Sequence, residues 1–249
     1  FSLIIFTANF IKSNKKNINN IPIIIKEYLP YVIISLLLIL FQPDLSTTIA
    51  ISLIIVTMLL IGGLKIKYIL SCMALSSSYI IYKIISTPYQ YKRLMSWVSG
   101  KVNWQLENSL QALGNGGLIG TGFGNSIIKD GFMPEVHTDF ILPIIGEEFG
   151  FMGIFIIFIL FFCIYFYGIQ ICKTSPDIFS SMLALGITIN ILYYFLINAT
   201  YVVGLLPTTG LPIPFISYGG SHTLFSLISL GTLMNISKYT NIYKYKAYE

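Results

Sequence analysis

Charged residues are scarce in this sequence. Only 10% of its 249 residues are Asp, Glu, Lys or Arg, whereas 55% are hydrophobic and the mean hydropathy is +0.78. An ordinary soluble domain carries about 25% charged residues. The composition therefore excludes a typical soluble protein and predicts an integral membrane protein.

The sequence also lacks the segments of about ten alternating polar and apolar residues that build a membrane β-barrel. The α-helix is the other structure that satisfies its own main-chain hydrogen bonds inside a bilayer. We therefore predict an all-α, polytopic transmembrane helical bundle that forms a single membrane domain. Its apolar segments lie at about residues 1–11, 28–41, 47–62, 68–87, 140–171, 178–203 and 215–236.

Cysteine and histidine are rare. The three cysteines, Cys72, Cys163 and Cys172, are odd in number and show no metal-ligand spacing, so we interpret them as packing residues. With two histidines and no Cys/His cluster, the sequence predicts no zinc-type site. The basic residues are too dispersed for a nucleic-acid surface, which requires clustered Lys and Arg with stacking aromatic residues.

The distribution of Lys and Arg predicts the orientation. Alternation of the apolar segments assigns ten of the fifteen basic residues to one set of loops and five to the other. Because basic residues near span ends prefer the cytoplasm, the richer set is predicted inside. The long loop at about residues 88–139 is then predicted on the extracytoplasmic side.

This long loop has two distinct parts. Leu106, Leu110 and Leu113 have the spacing of an amphipathic helix that lies on another surface. Glycines then recur from Gly114 to Gly124, and glycine permits positive φ and close approach of main chains. Either this glycine-rich part is a flexible surface loop, or its main-chain amides approach an anionic head group.

Acidic residues gather where the loop meets the next apolar segment, with Asp139 at its start. Acids at a membrane boundary are costly and indicate function. An ionised Asp139 at a helix N-terminus can act as a general base towards a hydroxyl, although it can equally be only a helix cap. His137 does not share a helical face with Asp139, so an Asp–His pair has little support.

Five residues beginning with Asp139 form a predicted helical stripe with little side-chain bulk, which favours close helix packing or a groove leading to the acid. The other members are Pro143, Gly146, Gly150 and Gly153. Glu147 and Glu148 point elsewhere on this helix, so we expect a structural role on neighbouring helices for both.

Three further features are candidates for structure or binding. Asp44 is a plausible N-cap of the span that follows it. Arg93 and Lys92 lie just outside a span, where they either anchor the interface or hold a phosphate. The apolar segment 204–221 is interrupted by prolines and glycines, so it should pack inside the protein or line a wet cavity.

Four motifs in order resemble the SEDS family of polytopic membrane proteins (shape, elongation, division and sporulation), and the division members more than the elongation members. They are Gln42-Pro43-Asp44-Leu45, the run from Ser109 to Ser126 ending in Gly122-Phe123-Gly124-Asn125-Ser126, Pro134 to Gly150, and Leu206 to Ser221.

The resemblance implies a peptidoglycan glycosyltransferase that polymerises lipid II with a class B penicillin-binding protein, among other division or elongation proteins of the bacterial cytoplasmic membrane. It implies that Asp139 is the catalytic base. Substrate contacts are expected from Arg93, Lys92, Gln105, Ser109, His137, Thr138, Ser217 and Ser221. Structural roles are expected for Asp44, Glu147, Glu148, Gly146, Gly150, Pro207 and Pro212. No cofactor is certain; a divalent cation, Mg²⁺ or Mn²⁺, is one way to neutralise the diphosphate.

The sequence departs from the family pattern at Ser46, Trp104 and His222. It also opens within an apolar run and without an initiator Met, so we expect a fragment that lacks a Glu-x-x-Lys element and earlier spans, and that is inactive alone. Two other functions stay open: a transporter or flippase for a lipid-linked sugar, and a non-enzymatic scaffold of the divisome.

Overall fold

The computed structural model describes residues 1–42, 44–100, 103–127 and 138–246. Within these residues all regular structure is helical, so the predicted all-α class is confirmed. We number the helices in chain order: α1 Ser2–Ser13, α2 Ile21–Phe41, α3 Leu45–Ile61, α4 Ile66–Ser86, α5 Pro88–Val98, α6 Trp104–Gly116, α7 Ile141–Thr174, α8 Ile178–Val202 and α9 Gly220–Lys246.

Three of the described helices are long and apolar enough to cross a membrane: α2, α7 and α8. Two shorter helices, α1 and α3, are also apolar. The helix α9 begins at Gly220, five residues later than the predicted apolar segment 215–236. Residues 204–219, which precede it, contain no regular helix.

Local sequence explains several helix ends. The Asp44 side chain accepts a hydrogen bond from the Thr47 amide at 3.0 Å, so the predicted N-cap of α3 is confirmed. Asn103 caps α6 in the same way, through the Leu106 amide at 2.9 Å. Within α2, residues Ile24–Tyr28 form a π turn. Pro30 lies two residues after this turn, and since proline lacks an amide hydrogen, it cannot donate the regular bond to Lys26.

The described chain divides into two compact units. The first comprises residues 1–74, 163–193 and 224–249. Its interior is tightly packed: the hydroxyls of Thr7 and Tyr28 are 2.9 Å apart, and a Cβ at Gly186 would lie 2.7 Å from the sulfur of Met58. This unit carries α1, α2 and α3.

The second unit comprises residues 75–162 and 194–223. It contains α5, α6, the glycine-rich loop, the first part of α7 and the segment that joins α8 to α9. Phe161 and Phe195 stack in its interior with ring centroids 4.1 Å apart. Most of the predicted site residues belong to this unit.

Candidate functional site

Asp139 lies in a three-residue turn, residues 138–140, directly before α7. Its main-chain carbonyl accepts hydrogen bonds from the Tyr201 hydroxyl at 2.5 Å and from Nδ2 of Asn198 at 2.9 Å. The neighbouring Phe140 is buried, and its ring contacts that of Tyr201 edge-on at 5.5 Å. These contacts hold the main chain of the acid, so its position does not depend on α7 alone.

Asn198 joins this turn to the segment between α8 and α9. Its Nδ2 atom also lies 2.7 Å from the Leu211 carbonyl and 2.9 Å from the Tyr201 hydroxyl. The side chain is completely buried, and its Oδ1 has no hydrogen-bond partner. We did not identify Asn198 from the sequence, although an amide in an apolar span is a signal of interhelical hydrogen bonding.

The segment from residue 204 to 219 is partly buried, whereas Leu205 and Tyr218 are exposed, so both predicted alternatives, packing inside the protein and lining a wet cavity, stay open. Thr208, Leu211, Ile213 and Ser217 are all buried, and the Ser217 hydroxyl accepts a hydrogen bond from the Ile213 amide at 2.8 Å. Gly210 has a φ of 72°, and a Cβ there would lie 3.1 Å from the Asp139 carboxylate. Glycine therefore leaves room beside the acid.

Arg93 on α5 reaches the same segment. Its Nε donates to the Thr208 hydroxyl at 2.7 Å, while the Trp97 indole nitrogen donates to the Gly204 carbonyl at 3.0 Å. Thr208 lies two residues before Gly210, whose missing Cβ would lie 3.1 Å from the Asp139 carboxylate. The structure thus brings the predicted base and the predicted phosphate ligand into one neighbourhood, between α5 and the start of α7.

The other predicted ligand residues divide into exposed and interior positions. Lys92 and Ser221 are exposed, while Gln105 and Thr138 are half-buried; their roles stay predictions. Ser109 is completely buried and donates to the Val202 carbonyl at 2.7 Å, and Ser217 is bonded within its own turn. These two serines therefore hold the fold rather than face a ligand. His137 lies outside the described residues.

The glycine-rich loop is inserted into a break in α7. At Gly150 the main chain leaves the helical conformation, with φ 67° and ψ −165°. The carbonyls of Glu147 and Glu148 accept from the amides of Thr121 and Gly122, at 2.9 and 3.1 Å. In return, Phe151 and Met152 donate to carbonyls of the loop, at 2.9 and 3.2 Å.

This insertion corrects two expectations. The stripe that begins at Asp139 does not continue as one helical face beyond Gly150, because the helix is broken there. The amides of Thr121 and Gly122 bind main-chain carbonyls of α7, so they are not available to an anionic head group. Close approach itself is real: a Cβ at Gly116 would overlap the Gly146 carbonyl, and one at Gly120 would overlap that of Glu148.

Glu147 is the most enclosed acid of the site. It is completely buried, and its two carboxylate oxygens accept from Asn115 at 3.2 Å and from the Ser126 hydroxyl at 2.5 Å. Asn115 lies at the end of α6, a neighbouring helix as we expected, whereas Ser126 lies in the loop that follows α6. Glu148 is also buried. The structural role of both acids stays a prediction.

No group of three or more His, Cys, Asp or Glu residues that can hold a metal ion occurs in the described parts of the chain. Mg²⁺ prefers several oxygen ligands, often one or two carboxylates together with substrate phosphates. Here the carboxylate that the site contributes is that of Asp139, so the described residues do not form a resident cation site. We assign no step to a metal.

These features define a class of protein: a polytopic helical membrane protein with an acid held at the mouth of a spanning helix. The family model described as "Cell cycle protein", which covers FtsW, RodA and SpoVE, matches residues 1–242. The chain belongs to this family, the same one that its motifs resemble. With its apolar helices, it is an integral protein of the bacterial inner membrane.

Curated relatives agree with this placement. A probable peptidoglycan glycosyltransferase FtsW of Trichlorobacter lovleyi is 34% identical over 230 residues, which cover 89% of this chain and 60% of that protein. Stage V sporulation protein E of Bacillus subtilis is 35% identical over 244 residues, covering 96% of this chain and 67% of that protein. The chain thus spans about three fifths of the length of the first of these relatives.

Two solved structures share the fold. A chain in a structure titled "Structural coordination of polymerization and crosslinking by a peptidoglycan synthase complex" matches with a TM-score of 0.70 and 19% identity, covering 93% of this chain and 68% of that one. The Rod shape determining protein RodA of Thermus thermophilus matches with a TM-score of 0.58 and 20% identity, covering 91% of this chain and 62% of that one.

Proposed function

We propose that the full-length protein is a peptidoglycan glycosyltransferase that polymerises lipid II into glycan strands during cell division or growth. The support is its family and the function for which its FtsW relatives are named. The reaction joins two lipid-linked disaccharides: the 4-hydroxyl oxygen of the acceptor sugar bonds to the anomeric carbon of the donor, and the bond from that carbon to undecaprenyl diphosphate breaks.

Asp139 is the general base of this reaction. Its carboxylate takes the proton of the acceptor hydroxyl as the new glycosidic bond forms, and the electron pair of the broken bond leaves with the diphosphate. One carboxylate is sufficient because diphosphate is already a good leaving group, unlike the sugar alkoxide released by a glycoside hydrolase.

The observation that carries this proposal is the fixed position of Asp139. A general base must be held within hydrogen-bond reach of the proton that it removes. Asn198 and Tyr201 fix the main chain of this residue from inside the protein, and Gly210 leaves space beside its carboxylate. Glu147 is a poor alternative base, because it is completely buried and both of its carboxylate oxygens are already hydrogen-bonded.

Arg93 is the candidate for charge neutralisation. Its Nε is bonded to Thr208, which orients the guanidinium next to the segment that flanks Asp139. Arginine binds phosphate oxygens through paired N–H groups, and a fixed cation stabilises the negative charge that develops on a departing diphosphate. We propose this role for Arg93 and a weaker, solvent-exposed one for Lys92.

Orientation and partner follow from the same proposal. The acceptor and donor lie at the extracytoplasmic side, where the excess of basic residues in the opposite loops places Asp139. A class B penicillin-binding protein then cross-links the strands that this protein makes. The fold is shared with a chain in a structure whose title describes a peptidoglycan synthase complex, and this supports such a partner.

The broken helix α7 invites comparison with transporters, where discontinuous helices expose main-chain groups to a substrate. In this protein the groups released at Gly150 are bonded to the glycine-rich loop instead. Four main-chain groups around the break are thus engaged by the loop and are not offered to a substrate, which weighs against the flippase alternative.

The decisive experiment measures polymerisation of lipid II by the full-length protein together with its penicillin-binding partner. We compare Asp139→Asn with wild type, using Asp44→Asn as a matched control because Asp44 caps a helix and Asn also caps well. We expect Asp139→Asn to lose polymer while the complex with the partner stays intact, and Asp44→Asn to keep its activity.

Undiminished polymerisation by Asp139→Asn contradicts the assignment of the base. A parallel assay of lipid II translocation in vesicles then tests the transporter. If the wild-type protein itself shows neither polymerisation nor translocation, while partner binding and cell growth persist in Asp139→Asn, the scaffold function is the remaining explanation.

A further inference from the structure

The glycine-rich loop exposes an apolar surface that the proposed reaction does not use. No charged residue occurs from Gly117 to Ile127. Within this stretch Leu118 is 68% exposed, Ile119 84% and Phe123 82%. We call these three residues the apolar tip. Large side chains so completely exposed on one short loop indicate contact with a partner surface or with lipid.

The apolar tip is rigidly placed relative to α7. Four main-chain hydrogen bonds tie residues 117–122 to residues 147–152, two on each side of the break at Gly150. The ring of Phe123 also lies 5.9 Å from that of Phe149. Because these bonds run between main chains, the depth of α7 in the membrane sets the depth of the tip.

The break lies at one edge of an uncharged run. Residues 151–172 contain no charged side chain, and Lys173 follows at the other end. Twenty-two helical residues are about 33 Å long at 1.5 Å per residue, which matches the hydrocarbon thickness of about 30 Å. Gly150 therefore lies where α7 enters the apolar layer on the side of Asp139, and the tip lies beside this entry point.

The tip is also continuous with exposed apolar side chains of α7. Phe149, Phe151 and Met152 are exposed next to the break, at 43%, 56% and 56%, and Phe155 and Ile156 continue this surface along α7. An uncharged, exposed loop beside such a surface fits acyl chains, and an element at this boundary is stabilised by its buried apolar area.

We propose that the apolar tip inserts into the lipid of the leaflet on the Asp139 side and anchors the loop there. Its partner is the acyl-chain region of the bilayer. The anchor steadies the described part of the loop, residues 117–127. This inference concerns the loop and the membrane, and it stands whether or not the protein is a glycosyltransferase.

Spin labelling of the full-length protein in phospholipid vesicles tests this directly. The three cysteines of this chain, with any others, are replaced, and single labels are introduced as Ile119→Cys and Phe123→Cys. Both side chains are exposed, so a label leaves the packing and the main-chain bonds intact. Power saturation compares collisions with oxygen, which concentrates in lipid, and with a water-soluble nickel chelate.

Two reference positions calibrate the measurement: Phe155→Cys on the exposed surface of α7 for lipid and Lys15→Cys in a basic, exposed turn for water. We expect labels at 119 and 123 to favour oxygen over nickel, as at 155 and opposite to 15. A nickel-favouring result at both positions places the tip in water and overturns the proposal. Protection from both reagents reveals a protein cover and overturns it as well.

Discussion

Gly150 offers the sharpest test of the loop insertion, because a single methyl group there meets two separate obstacles. Its φ of 67° and ψ of −165° lie in a region that is essentially restricted to glycine, where another residue costs about 1–3 kcal/mol. In Gly150→Ala the new Cβ would also lie 2.5 Å from the Gly120 nitrogen and 2.6 Å from the Leu118 carbonyl. These atoms are main chain, so they cannot move aside as a flexible side chain does.

The second obstacle sets the size of the effect. To accommodate the methyl group, the loop must withdraw from α7, which endangers the four main-chain hydrogen bonds that hold it. A hydrogen bond contributes about 0.5–1.5 kcal/mol net, so losing all four costs between about 2 and 6 kcal/mol. We therefore expect Gly150→Ala to lower the free energy of unfolding by at least about 3 kcal/mol once the backbone cost is included.

Gly124→Ala is the matched control. Gly124 also has a positive φ, 81°, but nothing lies within 4 Å of its missing Cβ. This variant carries the conformational cost alone. Unfolding of both variants is followed in detergent micelles by the fluorescence of Trp97 and Trp104, which lie in the same unit as the loop. Equal destabilisation of the two variants would refute the inserted loop.

Further variants address the contacts around the acids. Asn198→Leu should destabilise the protein by about 1–3 kcal/mol and reduce turnover, because it removes the donor that joins the carbonyls of Asp139 and Leu211. Thermal unfolding measures the stability, and the polymerisation assay measures the turnover. Unchanged values would contradict the role of Asn198 in holding these two carbonyls. Glu147→Gln should keep both stability and activity, since an amide can still pair with Asn115 and a rotated Ser126 hydroxyl. Glu147→Ala should lower the free energy of unfolding by about 2 kcal/mol. An inactive but stable Gln variant would mean that the carboxylate itself reacts.

Asp177 supplies a prediction about pH and belongs to the same group of tests. Partial burial alone would raise the pKa of this carboxyl, but hydrogen bonds from Ser180 and the nearby charge of Lys12 outweigh it and hold the pKa below its ordinary value of 3.8. Folding thus favours the ionised form, so its stabilisation is present above the ordinary pKa and is lost as the pH falls through the lowered value. We expect Asp177→Ala to destabilise α8 by about 1 kcal/mol at neutral pH and less in acid. Unfolding measured across a range of pH tests this expectation. An effect independent of pH would contradict the lowered pKa of Asp177.

Local sequence patterns were enough to predict the features that depend on residues close together in the chain. The length of the apolar runs predicted an all-α membrane protein, because only a helix satisfies the main chain of a single span within itself. The cap joins Asp44 to a residue three positions later, and the leucine spacing in α6 covers seven positions. Both the cap and the helix α6 could therefore be predicted from the sequence. Asp139 stood out because an acid beside an apolar run is costly.

Other features depend on residues far apart in the chain. The run from Ile141 to Thr174 reads as one long helix, and its break at Gly150 is stable because the loop 117–122, about thirty residues earlier, takes over the released hydrogen bonds. Glycine spacing permits such an insertion but does not specify its partner. The buried hydrogen bonds of Ser109 and Ser217 could not be predicted for the same reason, since the position of a serine in the sequence does not reveal which carbonyl or amide it contacts.

The sequence by itself therefore determined the membrane class, most of the apolar helices and the acid at the start of α7, because hydrophobic run length and charge cost act locally. Only the tertiary structure decided how that acid is held. Asn198 and Tyr201 reach Asp139 across about sixty residues of chain, and their hydrogen bonds exist only once α8 packs beside the turn that precedes α7.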